Sequence, residues 1–133
     1  MKKQNKQGLT LVELMVVVII VGNLAAVAVP LMSANKDRAI ASEAVAALGS
    51  MNSAARVWGV ATGGDVTNAT PAGLIAAGYL TATDLEGTYF SSATMQAATI
   101  VNGKFALVTQ TDKQGNTHNI YWDTGENTYI SKK

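Results

Sequence analysis

An apolar run begins with Gly8-Leu9-Thr10-Leu11-Val12-Glu13-Leu14 and continues to Met32. After Gly8, the side chains in this run that resist transfer into hydrocarbon are Thr10, Glu13 and Asn23. A helix over residues 9–32, with a rise of about 1.5 Å per residue, is about 36 Å long. The hydrocarbon core of a bilayer is about 30 Å thick, so the run predicts a transmembrane helix.

The residues in front of this run carry only positive charge, on Lys2, Lys3 and Lys6. Positive residues accumulate on the cytoplasmic side of membrane helices. We therefore expect the first residues in the cytoplasm, a single pass through the cytoplasmic membrane, and everything after Met32 outside the cytoplasm.

Glu13 does not fit a simple membrane anchor. A carboxylate inside a membrane helix costs about 3 kcal/mol on insertion scales, and such a group usually has a partner or a function. No Lys, Arg or His lies between Leu9 and Val29 to serve as that partner. A cut between Gly8 and Leu9 would create an α-amino group one helical turn before Glu13, and it would remove the three lysines.

The first third of the chain resembles the class III signal of type IV pilins and type II secretion pseudopilins. The resemblance rests on the lysine-rich leader, on Gly8 followed by Leu-Thr-Leu-Val-Glu-Leu-Met at 9–15, and on Gly22 and Pro30. Two residues depart from the family pattern, because Leu9 stands where Phe is usual and Asn23 interrupts a run that is usually apolar.

This resemblance implies a structural, non-enzymatic subunit. Prepilin peptidase would cut after Gly8, and the new terminus, Leu9, would be N-methylated. Inner-membrane assembly machinery would then polymerise the chain through its helix into a homo-oligomeric filament at the cell surface or in the periplasm, with Glu13, Gly22 and Pro30 as assembly residues. We expect a type IV pilus or pilus-like filament, and the alternative is a secretion pseudopilin.

A different class of function is left open by the residues that follow the apolar core. Ala26-Val27-Ala28 satisfies the small-x-small pattern of signal peptidase, so the chain could be a secreted soluble binding domain cleaved after Ala28. Against this alternative, the apolar region of a signal peptide rarely begins with Thr10 and Glu13.

Beyond Met32 the apolar pattern becomes one-sided, which predicts that the helix continues as an amphipathic half. Gly63-Gly64 is a stop signal, so we expect the helix to end near Gly59. Pro30 and Gly22 predict a kink or a weak turn near Ala26. The predicted packing stripe consists of Ile40, Ala44, Leu48, Met51, Ala55 and Trp58.

The remaining residues predict a small head. Thr70 and Pro71 favour the start of a short helix and Gly78 its end. β-rich runs separated by turn residues then predict an antiparallel meander laid on the amphipathic helix, with Lys104, Thr109 and Asn119 facing water or neighbouring subunits. The predicted strands are 89–91, 97–101, 104–109, 119–122 and 128–131, and the residues expected to face the helix are Phe105, Leu107, Ile120 and Trp122.

The fold class is thus α+β and pilin-like, with a long N-terminal helix packed on a small antiparallel sheet. We divide the chain into a leader (1–8), a transmembrane or filament-core helix (9–32), an amphipathic helix half (33–60), and a loop and sheet head (61–133). Without the three leader lysines, seven basic residues face nine acidic ones, and nothing in that balance favours a nucleic-acid partner.

Few residues offer site chemistry. His118 is the one histidine and cysteine is absent, so a His/Cys zinc set and a cysteine nucleophile are excluded. We expect His118 to be solvated, and we expect no cofactor. Asp112, Asp123 and Glu126 could gather around Ca²⁺, but their spacing matches no defined calcium loop, and acidic residues at hairpin turns usually only form the turn.

Overall fold

A computed structural model describes residues 9–132 of the protein, so the predicted leader and Gly8 lie outside the described residues. The chain divides into two compact units at the Asp37/Arg38 boundary. One long helix, α1, spans Leu11–Thr62 and contributes to both. The predicted α+β, pilin-like fold is confirmed.

The first unit holds the apolar part of α1. Its side chains from 9 to 36 are exposed, including every apolar residue of the predicted membrane run. The helix continues without a break through Gly22 and Pro30, and the kink or weak turn expected near Ala26 stays a prediction. Apolar residues on both sides of Pro30 keep the helical conformation although the proline removes one hydrogen bond.

In the second unit, the later half of α1 buries the predicted stripe. Ile40, Ala44, Leu48, Met51 and Ala55 are buried, with Ala54 beside them, while Trp58 is partly buried against the same core. The helix ends at Thr62, three residues later than predicted, and Gly63 adopts φ of +65°. A left-handed residue just past the last turn favours glycine, which is why the helix stops there.

Short helical segments connect α1 to the sheet. The predicted short helix is confirmed as α2, Pro71–Ala76, in which Thr70 Oγ1 accepts from Gly73 N at 3.1 Å. Two 3₁₀ turns, Val66–Asn68 and Ala82–Leu85, flank α2. A further helix, α3, spans Ser92–Gln96 and is capped by the Ser91 hydroxyl.

The strand predicted at 89–91 is wrong. The backbone N–H groups of Tyr89 and Phe90 donate to the carboxylate of Glu43 on α1, and Ser91 caps α3. A side chain from a distant helix therefore takes the hydrogen bonds that a neighbouring strand would have used.

The sheet is an antiparallel meander, as predicted. Its four strands are β1 (Thr99–Val101), β2 (Lys104–Thr111), β3 (Thr117–Asp123) and β4 (Thr128–Lys132), in the order β1-β2-β3-β4. The β1–β2 turn is Asn102-Gly103, with φ of 51° and 74°, which is the left-handed pair that a two-residue hairpin requires. The pairing shifts between Leu107 and Gln110, where Thr109 adopts φ of 52°.

The inner face of the sheet completes the core. Phe105, Leu107 and Ile120 are buried with the stripe of α1, as predicted. Trp122 is only half-buried: its ring lies edge-on to Tyr129, and the ammonium of Lys104 lies 5.0 Å from its centroid. Asn52 on α1 joins helix to sheet, because its Oδ1 accepts from Phe105 N at 3.0 Å.

Candidate functional site

The start of α1 is closed by a reciprocal pair of side chains. Glu13 Oε2 accepts hydrogen bonds from Thr10 N and from Thr10 Oγ1, both at 2.8 Å. In return Glu13 N donates to Thr10 Oγ1 at 3.2 Å. This is a capping box, which satisfies N–H groups that have no partner within the helix.

The capping box gives Glu13 a partner that our sequence reasoning missed. The signal was present, because Thr-x-x-Glu in front of an apolar run is the pattern of such a cap. It also explains why α1 begins at Leu11 and not at Leu9, since Thr10 occupies the cap position.

The apolar helix behind this cap has no cover within the described chain. It is long and apolar enough to cross a membrane, and its most apolar segment is entirely exposed. A Cβ placed on Gly22 would meet nothing within 4 Å. Neither Gly22 nor Pro30 is therefore explained by packing inside the described subunit.

The acidic residues of the head do not come together. Asp123 Oδ1 accepts from Gly125 N and Glu126 N, at 2.7 and 3.0 Å, and so closes the β3–β4 turn. Asp112 lies in the other hairpin and is committed to Asn116 and His118. Within residues 9–132, no group of three or more His, Cys, Asp or Glu side chains is arranged to hold a metal ion.

His118 is buried, with about 2% of its surface exposed, so the expectation that it is solvated is wrong. Its Nε2 lies 2.9 Å from Asp112 Oδ2, and its ring packs edge-on against Phe90. The alternation of β3 places 118 on the same face as the buried Ile120, a signal that sequence reasoning could have used.

Comparison with known proteins bears on the N-terminal segment. Residues 3–29 match the family described as the prokaryotic N-terminal methylation motif. The chain therefore carries a segment similar to this methylation motif at its N-terminus. The match includes Gly8, Leu9, Glu13 and Gly22, and it ends just before Pro30.

The chain is also similar to a curated protein over part of its length. The chain is 41% identical over 54 residues to type II secretion system core protein G of Klebsiella michiganensis. The similar stretch covers 41% of this chain and 38% of that protein, so it spans well under half of either. No solved structure matches the chain.

The predicted site residues that the structure describes lie at the start of α1 and along its exposed part. Leu9 is exposed at 77%, directly before the capping box. Glu13, Gly22 and Pro30 all lie on the uncovered part of α1. Their predicted roles in cleavage, methylation and assembly remain predictions.

Proposed function

We propose that this chain is the structural subunit of a type IV pilus or pilus-like filament. Prepilin peptidase cuts the precursor after Gly8, the amine of Leu9 is methylated, and the processed chain polymerises through α1. The observation that carries this proposal is an exposed apolar helix whose first part lies within a match to the methylation motif.

The physical reason is the cost of exposing this helix to water. Burial of apolar surface is worth about 25 cal/mol per Å², and the side chains of 9–32 are exposed in the described subunit. A membrane covers them before assembly. Outside the membrane, the cover that requires no further partner is the same helix of other copies, which gives a homo-oligomeric filament.

A pseudopilin of a type II secretion system is the second candidate. The similarity to core protein G favours it, since that protein is named as a component of such a system. The two candidates share cleavage, methylation and helix-driven assembly, and they differ in where the filament ends and what depends on it.

Deletion of the gene, followed by complementation with variants, tests whether the chain is a processed filament subunit. It also tests whether the filament is a pilus or a pseudopilus. Gly8→Asp should block the cut because the peptidase must accept a backbone without a side chain, so the uncleaved precursor should accumulate in the membrane. Gln7→Asp is the matched control, because it adds the same charge one residue earlier. Normal filaments from Gly8→Asp would remove the proposal.

The same strains separate pilus from pseudopilus. Loss of sheared surface filaments with normal secretion identifies a pilus subunit, and loss of an exported protein from the medium identifies a pseudopilin. A chain recovered as a soluble monomer that begins at Val29 would instead identify the secreted binding domain.

A further inference from the structure

The β2–β3 turn is built on a buried pair of ionisable side chains. The side chains of Asp112 and His118 are 0% and 2% exposed, and they lie in direct contact. Asp112 Oδ1 also accepts from Gln114 N at 2.9 Å and from Asn116 N at 2.8 Å. The Asn116 side-chain amide donates to Asp112 Oδ2 at 3.0 Å. One carboxylate therefore holds both the turn and the histidine behind it.

Lys113 ties this turn to the loop that precedes α3. Its backbone N–H donates to Tyr89 O at 2.7 Å, and its ammonium donates to Gly87 O at 2.7 Å. The ammonium also forms an ion pair with Glu86. Since Lys113 follows Asp112 directly, the conformation that Asp112 imposes on the turn also sets where these contacts are made.

The same loop is held from its other side by Glu43 of α1. Glu43 accepts three backbone hydrogen bonds, from Thr88, Tyr89 and Phe90, at 2.8 to 2.9 Å. A Cβ on Gly87 would lie 2.3 Å from Glu43 Oε1, so only glycine allows this close approach. The loop 86–90 is thus fastened between α1 and the β2–β3 turn.

We propose that Asp112, His118 and Lys113 form an acid-sensitive latch that holds loop 86–90 against the β2–β3 turn and releases it when the Asp112 carboxylate is protonated. Protonation removes the negative charge and turns one carboxylate oxygen into a hydroxyl donor, so the hydrogen bonds from Gln114, Asn116 and His118 cannot all be kept and those that remain are weaker. Release separates the turn from the loop, which Glu43 still holds on its other side, while the rest of the sheet keeps its ladder. This device is independent of the function proposed above.

Burial alone would raise the pKa of Asp112, but hydrogen bonds from Asn116, His118 and Gln114 outweigh it and hold the pKa well below the usual range. The stabilisation is therefore complete above the unfolded value of about 3.9 and is lost as the pH falls toward the folded value. The other ionisable groups at the latch are His118 on β3, Lys113 in the turn, Glu86 and Tyr89 in the loop, and Glu43 on α1.

Amide hydrogen exchange on the full-length protein in detergent micelles tests the latch. Protection factors, corrected for intrinsic rates, are compared from pH 7 to pH 2 for Lys113, Gln114 and Asn116 in the turn, whose amides donate to Tyr89 O and to Asp112 Oδ1. We expect the protection of these amides to fall at least tenfold in acid, while the ladder amides of β2 and β3 around Ile120 stay protected. Simultaneous loss at all these amides would mean global unfolding and would overturn the proposal.

Three variants sharpen the test. Asp112→Asn should reduce the protection of these three turn amides already at pH 7, and wild-type protection there would contradict the latch. Asn116→Ala removes one donor and leaves the carboxylate, so the acid transition should move to higher pH; an unchanged transition would contradict it even if Asp112→Asn fails to fold. Asp84→Asn is the control, because Asp84 makes a similar capping bond to Thr81 N in a separate loop.

Discussion

At the scale of single residues, Glu13 has one observed partner and one predicted partner. Thr10 donates two hydrogen bonds to its carboxylate. Cleavage after Gly8 would add the amine of Leu9, from the same chain or from a neighbouring copy. A buried carboxylate and a buried ammonium are each costly alone and relieve one another when they meet, so a pairing between copies would also select the register of assembly.

Variants at Glu13 and Thr10 distinguish the contribution of the Leu9 amine to filament assembly from that of the Thr10 cap. Glu13→Val should leave membrane insertion and cleavage intact and should sharply reduce the filament yield, because the Leu9 amine loses its carboxylate. Thr10→Val removes the side-chain half of the cap only and should assemble much closer to wild type. The measurement is the amount of cleaved subunit in the membrane against that in sheared filaments. Wild-type filament yield from Glu13→Val would contradict the pairing.

Replacing Gly87 or Gly49 by alanine should change the free energy of unfolding in opposite directions. Gly87→Ala would force Glu43 away from the loop, so we expect a loss of about 1–3 kcal/mol from the unsatisfied groups. Gly49→Ala lies within α1, where a Cβ meets nothing within 4 Å, and it should stabilise by about 0.5–1 kcal/mol. Thermal unfolding of the two variants in parallel measures both signs. Equal melting temperatures for the two variants would show that the Glu43 contact is unimportant.

At the scale of elements, local patterns predicted most of what the structure shows. The stripe of α1, the cap at Thr70, the left-handed Gly78 and the Asn102-Gly103 hairpin each depend on residues near one another in sequence. The failures involve long-range contacts. Residues 89–91 were predicted to form a strand because no residue near them in sequence indicates that Glu43 accepts hydrogen bonds from their backbone. His118 was predicted to be solvated because its partner, Asp112, lies across a hairpin.

The candidate site divides in the same way. The residues around Gly8 and Glu13 are close together in sequence, and they were enough to predict a prepilin-type signal. The match to the methylation motif covers both residues. Whether Asp112, Asp123 and Glu126 gather depends on long-range contacts, and the sequence favoured separate turn-forming roles for them. The structure places Asp112 in one turn and the other two in another, because each of the two aspartates is used by the backbone of its own hairpin.

Pro30 should lower the local stability of α1. The helix is continuous across it, but residue 30 cannot donate to the carbonyl of Ala26, so this part should open more readily than its neighbours. Pro30→Ala restores the donor and should slow hydrogen exchange between 26 and 33 in the micelle-bound subunit. Exchange around Gly49, well away from the substitution, should not change. Equal exchange between 26 and 33 in both proteins would show that the proline does not weaken the helix.

At the scale of the whole molecule, two units carry two different tasks. Residues 38–132 bury a hydrophobic core of their own. The chain has no cysteine, so this unit is stabilised by packing and hydrogen bonds and not by a disulfide. Residues 9–37 leave an apolar helix uncovered. A subunit with such a helix requires a membrane or other copies of itself, which is the requirement that filament assembly meets.

The N-terminus of the processed protein tests this account most directly. Mass spectrometry of the subunit, taken from membranes and from sheared filaments, identifies its first residue and any methyl group. We predict N-methylated Leu9 in both fractions, with the three lysines removed and the apolar helix retained. A mature protein that begins at Val29, or one that keeps Met1 through assembly, would contradict it.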